Sequence, residues 1–288
     1  MILVPECLIC TQRIALEAAR FVTKDETVLK RILFQMMDVL RSLSSKEIDS
    51  FLIGLKMMEI IREATGSRDP YKHFREACAR IAQRLIPAVR DTVERSNDPL
   101  WEACRSAVIG NLLDVVSHNS PDSIDLNMFG EIPFAVNHFQ QFRSALKEAS
   151  RVVYLADNAG EVFFDRILIE AMRAERKGIQ VHYFIKDFPF LSDALPEDIA
   201  PALMDQVATI RTIALVEPIE LNQAYLDQLL GDFLEAARQA DLVVVKGQAN
   251  FELLMPLQLG AFFLFTHKCP VIARAEQANI GEAAICRR

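Results

Sequence analysis

The feature that most constrains this fold is a change of hydrophobic pattern near residue 150. Before it, TQRIALEAARFV, ETVLKRILFQMMDVLRSL and SSKEIDSFLIGLKMMEIIREAT repeat apolar residues every three or four positions, which predicts amphipathic helices. After it, short apolar runs such as RVVYLAD, QVHYFIK and DLVVVKG alternate with helical stretches. Such alternation indicates βαβ units and a mainly parallel sheet. We therefore predict an α/β fold, with a three-layer α/β/α core over residues 149–288 and an all-helical subdomain over residues 1–148 that covers the site.

Local signals refine this pattern. Asp69-Pro70 and Asp98-Pro99 each combine an acidic cap with a proline, which predicts a helix start. The segment HNSPDSIDLNMFGEIP is polar and rich in turn residues, so we expect a connection there, followed by a helix in NHFQQFRSALKEAS. Near the C-terminus, AFFLFTHK and PVIARA read as two further apolar runs of the α/β half.

Charge and composition exclude some partners. The chain has 288 residues and a net charge of −7, with acidic and basic residues interspersed, so we expect no nucleic-acid partner. Apolar stretches such as GAFFLF are far shorter than a membrane span, and MILVPECLIC lacks the features of a signal peptide. We therefore expect a cytoplasmic protein without a membrane partner, whose six cysteines are mostly reduced. Protein partners remain open.

Polar residues gather where the predicted strands end, which is where open α/β sheets bind ligands. They are Asp157, Asn158, Gly160 and Glu161 after the first strand; Lys186, Ser192 and Asp193 after the second; Lys246, Gly247, Asn250 and Glu252 after DLVVV; and His267 and Lys268 after AFFLFT. Carboxylate and amide oxygens are hard ligands that suit Mg²⁺ or Mn²⁺. Lysines beside such an ion can hold phosphate oxygens. Together they predict phosphoryl chemistry with a metal-activated water.

Each element alone has a simpler interpretation. An Asp-Asn pair after a strand is usually a turn or a helix cap, and a lysine at a strand end is usually solvated. The convergence of four strand ends on one chemistry favours a site. A dinucleotide site is less compatible, because neither DNAGE nor KGQANFE has the spacing G-x-G-x-x-G. No strand is followed by two aspartates at D-x-D spacing, which disfavours an aspartyl-phosphate mechanism.

Several motifs resemble the domain-of-unknown-function-89 family, also called damage-control phosphatases. LADNAGEVFFDRILIEAM resembles its Asp-Asn-Ala-Gly-Glu motif, VVVKGQANFELL its Lys-Gly-x-Gly-Asn-Phe-Glu motif, and FIKDFPFLSDAL the loop ending in Asn-Asp-Ala or Ser-Asp-Ala. DPLWEACRSAVIGNLLDVV resembles a helical segment with Gly-Asn-x-x-Asp, and Cys7-x-x-Cys10 is similar to the small prokaryotic branch. The motifs keep their order over nearly the whole chain.

The resemblance implies a helical N-terminal part on an α/β/α core, and hydrolysis of phosphate monoesters of small metabolites with Mn²⁺, Mg²⁺, Co²⁺ or Ni²⁺. By this resemblance Asp157, Asn158 and Asp193 are the metal ligands and catalytic residues, and Lys268 is a lysine near the phosphate. The candidates for substrate binding are Asn111, Asp114, Glu161, Lys246, Asn250 and Glu252.

Some features are less settled. Ala249 replaces a glycine of the family motif, and a positive φ there would strain the loop by about 1 kcal/mol. Asn111 and Asp114 share one helix face, and either form a buried structural pair or present themselves to substrate. Cys7 and Cys10 have the spacing of half a zinc site, but isolated cysteines are also small hydrophobic residues.

Two other functions remain possible on sequence alone. One is a carboxyl methyltransferase that uses S-adenosylmethionine, an activity proposed for part of the family. It would need a glycine-rich loop after the first strand and an acidic residue after the second, where this chain has Gly160 and Lys186. The other is a non-catalytic small-molecule-binding protein, which does not explain why metal-type ligands and lysines converge.

Overall fold

Most of the apolar runs after residue 150 form strands of one sheet, in a computed structural model that describes residues 3–43, 48–113 and 132–288. The strands are β1 (Phe134–Asn137), β2 (Arg151–Leu155), β3 (Gln180–Lys186), β4 (Thr209–Ile213), β5 (Leu242–Lys246), β6 (Phe262–Thr266) and β7 (Ala283–Arg287). Among the described residues they form a seven-stranded sheet in the order β1-β7-β6-β5-β2-β3-β4. All neighbours are parallel except β6 and β7. The predicted α/β class and mainly parallel sheet are confirmed.

The helical pattern of the first half is also present. The helices before the sheet are α1 (Pro5–Arg20), α2 (Glu26–Ser42), α3 (Ser50–Thr65), α4 (Lys72–Arg95) and α5 (Pro99–Ile109), which continues into a 3-10 turn at Gly110–Leu113. Those within the sheet region are α6 (Phe139–Glu148), α7 (Val162–Glu175), α8 (Pro196–Ala202), α9 (Gln223–Leu229), α10 (Gly231–Arg238), α11 (Gln248–Leu254) and α12 (Pro270–Ala275). As expected, Asp98 caps α5, where its side chain accepts a hydrogen bond from the Trp101 N–H.

Successive strand residues point to opposite faces of the sheet, so two hydrophobic cores form. Val153 and Leu155 face a core that contains residues of α1, α2, α3, α9, α10 and α11. Val152 and Tyr154 face a second core, with residues of α5, α6, α7 and α8. The long helix α4 contributes to both, with Phe74 and Cys78 in the first core and its later turns in the second. Helices from before residue 148 therefore cover both faces.

Three elements differ from the sequence prediction. The strand β1 lies within the predicted helical segment and pairs with β7. PVIARA is not an apolar strand but the helix α12, which begins at Pro270 because proline fits the first helical position and cannot donate to a strand. The strand β7 was not expected in the polar C-terminal stretch, yet the side chains of Ala283–Cys286 are buried. The division into domains at residue 148 stays a prediction, although β1 belongs to the sheet.

The sheet reverses its direction of winding between β2 and β5. From β2 the chain crosses to β3 on one side, and from β5 it crosses to β6 on the other. The crossover helices α7 and α11 consequently lie on opposite faces, in the second and first core respectively. Such a switch point leaves a crevice at the carboxyl ends of the two strands, where open α/β proteins bind ligands.

None of the helices in the described part of the chain is long and apolar enough to cross a membrane.

Candidate active site

The segments that follow β2 and β3 are joined by backbone hydrogen bonds. The Ala159 N–H donates to the Ser192 carbonyl at 3.0 Å, and the Ala194 N–H donates to the Asp157 carbonyl at 2.8 Å. Asn158 and Asp193 form an antiparallel bridge between these bonds. The structure therefore brings the three predicted metal ligands together beside the switch point. Their exposed fractions are 7% for Asp157, 4% for Asn158 and 7% for Asp193.

Two amide side chains lie between two carboxylates. Nδ2 of Asn158 donates to Oδ2 of Asp157 at 2.9 Å and to Oε1 of Glu161 at 2.7 Å. Nδ2 of Asn111, in the 3-10 turn after α5, donates to the same two oxygens at 2.9 and 2.6 Å. Oδ2 of Asp157 and Oε1 of Glu161 thus each accept two hydrogen bonds. The two amides and the two carboxylates form a closed ring of four hydrogen bonds. Because Asn111 comes from the helical half, this contact fixes that half to the site.

The oxygens of both amides accept hydrogen bonds from hydroxyl groups. Oγ of Ser192 donates to Oδ1 of Asn158 at 2.7 Å, and Oγ1 of Thr266 donates to Oδ1 of Asn111 at 3.0 Å. A carbonyl oxygen has two lone pairs, so Oδ1 of Asn158 can accept this bond and still ligate a cation. The carboxylates of Asp157 and Asp193, together with the amide oxygen of Asn158, form a donor set that fits a hard divalent ion such as Mg²⁺ or Mn²⁺.

Lys246 was predicted to bind substrate, but it is completely buried. Its Nζ lies 2.7 Å from Oε2 of Glu161 and 2.6 Å from Oδ1 of Asp165. Burial by itself lowers the pKa of Lys246, but the charges of Asp165 and Glu161 outweigh it and hold the pKa above its ordinary value. The ammonium stays charged, and this geometry favours a role inside the protein over contact with substrate.

Asp165 completes this buried group. Besides Lys246, it accepts hydrogen bonds from the hydroxyls of Tyr154 at 2.7 Å and Tyr183 at 2.8 Å. Burial raises the pKa of Asp165, and Lys246 opposes that rise. Burial and the negative charge of Asp165 raise the pKa of both tyrosines, which remain hydroxyl donors.

Lys186 pairs with the third predicted ligand. Its Nζ lies 2.5 Å from Oδ2 of Asp193, and both side chains are buried. The ammonium also lies 5.6 Å from the ring centre of Phe51 and 5.8 Å from that of Phe190, distances typical of cation–π contacts. Phe51 belongs to α3, so a helix from the first half reaches the site from this side as well.

Three residues of the GQANFE segment hold the surrounding backbone. Nδ2 of Asn250 donates to the carbonyls of Ala156 at 3.0 Å and Lys246 at 2.8 Å, which ties the ends of β2 and β5 together. Oε1 of Gln248 accepts from the Lys268 N–H at 2.7 Å, and Nε2 of Gln248 donates to Glu252 at 2.8 Å. These contacts favour a structural role for Asn250 and Glu252, which were predicted to bind substrate. Burial raises the pKa of Glu252.

The anticipated strain at Ala249 is absent. Ala249 lies in the first turn of α11, and it is not among the described residues with positive φ. The left-handed position is Gly247, with φ of 82°. The departure from the family motif is therefore compatible with an unstrained loop.

Other expectations have different outcomes. Asp114 lies outside the described residues. In the described part of the chain, no three or more histidine, cysteine, aspartate or glutamate side chains are grouped as a metal site.

Several residues of this site were not predicted from the sequence: Tyr154, Asp165, Tyr183 and Thr266. One signal was available for Asp165, because an aspartate in the apolar helix VFFDRILIE lies one turn after Glu161 and needs a buried partner. The tyrosines carried no such signal, since aromatic residues are ordinary in buried strands.

A family model for the damage-control phosphatase ARMT1-like domain matches residues 3–284. The chain belongs to this family. The match spans nearly the whole chain and confirms the resemblance to the domain-of-unknown-function-89 proteins.

Similar proteins come from archaea. A protein named damage-control phosphatase from Archaeoglobus fulgidus is 29% identical, and the alignment covers 97% of this chain and 96% of that protein. Another damage-control phosphatase, from Pyrococcus horikoshii, is 26% identical over 98% of this chain and 96% of its own. An uncharacterised protein of Methanocaldococcus jannaschii is 26% identical over 99% of this chain and 95% of its own. Membership in the family and these names support a phosphatase role.

The fold is also that of a solved family member. A crystal structure of a domain-of-unknown-function-89 protein from Pyrococcus horikoshii superimposes with a TM-score of 0.84 at 23% identity, covering 100% of this chain and 99% of that one. At this identity the likeness establishes the fold.

Proposed function

We propose that this protein hydrolyses phosphate monoesters of small metabolites, such as sugar phosphates or damaged phosphorylated intermediates, with a divalent metal held by Asp157, Asn158 and Asp193. The observation that carries the proposal is the backbone pairing of segments 157–159 and 192–194, which sets two buried carboxylates and an amide side by side at the switch point. Carboxylates are rarely buried together unless a cation or hydrogen-bond donors balance them.

The protein residues would divide the work as follows. When bound, Mn²⁺, Mg²⁺, Co²⁺ or Ni²⁺ would polarise the phosphoryl group and lower the pKa of a bound water. Asp157, Asn158 and Asp193 would hold and orient that ion. Lys268 follows β6 at the same sheet edge, and its backbone is fixed by Gln248, so its ammonium is the candidate for binding phosphate oxygens.

Lys186 suits a second cationic role. It neutralises Asp193 in the protein without metal and is held between two aromatic rings. A metal ion bound to Asp193 would break its ion pair with Lys186. The Lys186 ammonium would then lie beside the site, where a phosphate could accept its hydrogen bonds. Leaving-group selection would fall to residues of the helical half, since α3 reaches the site through Phe51.

The test is a phosphate-release screen of phosphorylated metabolites with each of the four metals and with EDTA. Asp157→Asn is the control, because it keeps the shape of the side chain and removes its charge. We expect release that needs metal and is lost in the variant. The proposal fails if no substrate releases phosphate with any metal, or if Asp157→Asn is as active as the natural sequence. Binding of S-adenosylmethionine in place of phosphate release would instead favour the methyltransferase.

A further inference from the structure

Asp165 is buried inside α7, one helical turn after Glu161, among apolar neighbours. A carboxylate in such a place destabilises the fold unless its charge and both oxygens are satisfied. It is satisfied here from three sides, by Lys246 and by the hydroxyls of Tyr154 and Tyr183. The tyrosines come from neighbouring strands, and their rings lie 5.3 Å apart in a stacked arrangement. Asp165 is therefore held in one orientation by rigid parts of the sheet.

Asp165 in turn fixes the position of the Lys246 ammonium. Nζ of Lys246 lies between Oδ1 of Asp165 at 2.6 Å and Oε2 of Glu161 at 2.7 Å. A lysine side chain is flexible, and two charge-assisted hydrogen bonds in a buried place remove that freedom. Without Asp165, the ammonium would keep Glu161 as its partner but lose the group that fixes where it sits.

Glu161 in turn orients the side-chain amides of Asn158 and Asn111. Its Oε2 is bound by Lys246, while its Oε1 accepts from Asn158 at 2.7 Å and from Asn111 at 2.6 Å. Both amides then donate to Oδ2 of Asp157 at 2.9 Å. A continuous chain of hydrogen bonds thus runs from Tyr154 and Tyr183 to Asp157, through Asp165, Lys246, Glu161 and the amides.

We infer that Asp165 is a positioning residue for the proposed phosphatase reaction, on which this inference rests: through Lys246 and Glu161 it fixes the amides of Asn158 and Asn111 against Asp157. A site that binds a metal needs its ligands held within a fraction of an ångström, and residues behind the ligands supply that order. The Asn158 amide must keep its nitrogen toward Asp157 and Glu161, so that its oxygen accepts from Ser192 and stays available to the ion. Glu161 enforces this, because it accepts hydrogen bonds from the nitrogen side only.

The test compares Asp165→Asn with Glu170→Gln. Both variants turn an ion-paired carboxylate of α7 into an amide, but Glu170 pairs with Arg90 and Arg166 outside the chain of hydrogen bonds. Three properties are measured: the side-chain amide NMR signals of Asn111 and Asn158 in metal-free protein, assigned with Asn111→Ala and Asn158→Ala; Mg²⁺ affinity by calorimetry; and kcat and KM for an aryl phosphate.

In Asp165→Asn we expect both amide signals to move or broaden, kcat to fall about tenfold or more, and KM to change much less. Glu170→Gln should leave all three properties near those of the natural sequence. Should Asp165→Asn not fold, the double variant Tyr154→Phe/Tyr183→Phe keeps every charge and should move the same signals in the same direction by a smaller amount.

Unmoved amide signals in the folded variant, or a kcat within twofold of the natural sequence, would overturn the inference. The two proposals can fail separately. Signals that respond to Asp165→Asn in a protein that neither binds Mg²⁺ nor releases phosphate would uphold the positioning role and reject the phosphatase. An active phosphatase whose Asn111 and Asn158 amide signals do not change in Asp165→Asn would uphold the phosphatase and reject the positioning role.

Discussion

The backbone of Gly247 lies directly against the carboxylate of Asp157, and a Cβ atom on that glycine would stand 2.0 Å from Oδ2. Gly247 also has φ of 82°, a conformation that side chains disfavour. The lack of a side chain at the end of β5 therefore makes room for the most central carboxylate of the candidate site.

Gly247→Ala should abolish phosphatase activity and lower the free energy of unfolding by about 1–3 kcal/mol, since Asp157 must move. Gly178→Ala is the matched control, because Gly178 has the same φ of 82° and open space around its Cβ position. That variant should lose about 1 kcal/mol of stability from backbone strain and keep its activity. Equal activity loss in both would contradict a specific contact with Asp157. Urea unfolding and kinetics measure the two effects.

Removal of metal should abolish activity. Because Asp157, Asn158 and Asp193 offer only oxygen ligands, EDTA should stop hydrolysis of an aryl phosphate, and Mn²⁺, Mg²⁺, Co²⁺ or Ni²⁺ should restore it. The melting temperature should rise with metal concentration, because an ion that binds the folded state stabilises it. Full activity in protein shown to be metal-free would exclude this mechanism.

Asp193→Ala should abolish turnover and also destabilise the metal-free protein by about 3 kcal/mol, because it leaves the Lys186 ammonium buried without its carboxylate. The double variant Asp193→Ala/Lys186→Met should recover much of the stability but none of the activity. Unfolding free energies of the two single variants and the double variant give the coupling energy. A coupling near zero would mean that the ion pair does not stabilise the fold.

Asn111→Ala should lower kcat for every substrate by a similar factor. From sequence, Asn111 and Asp114 were candidates for substrate binding. Asn111 is instead buried against Asp157, Glu161 and Thr266, so its loss leaves carboxylate oxygens short of donors whatever the substrate. The measurement is kcat/KM for a sugar phosphate and an aryl phosphate in both proteins. A loss of kcat/KM for the sugar phosphate alone would instead indicate that Asn111 contributes to substrate selection.

Lys268→Ala should raise KM for phosphate esters by about tenfold while metal affinity changes little, because a lysine near the phosphate contributes a charge to substrate and not a ligand to metal. Calorimetric titration with Mg²⁺ and steady-state kinetics separate the two effects. An equal loss of metal affinity would place Lys268 with the metal-binding residues.

The fold class could be predicted from the sequence, because the change from helical repeats to short apolar runs reflects a periodicity that is local to each segment. It also predicted which polar residues follow the strands, since the carboxyl ends of parallel strands lie at one sheet edge. The choice of Asp157, Asn158 and Asp193 as metal ligands came from the resemblance to the family and stays a prediction. Strands β1 and β7 were not predicted, because they are stabilised by pairing with each other and with β6 and their own composition does not indicate a strand.

The contacts of the other polar residues depend on how distant segments pack. Lys246 and Glu161 looked like substrate ligands because strand-end position cannot tell an exposed side chain from one sealed beneath the site. Lys246 joins Glu161 to Asp165, which binds Tyr154 and Tyr183; these residues come from a helix and two strands and meet only after the sheet and α7 have packed together. Hydrogen bonds between such distant segments leave no periodic trace in sequence, so the group that positions the site became visible only in three dimensions.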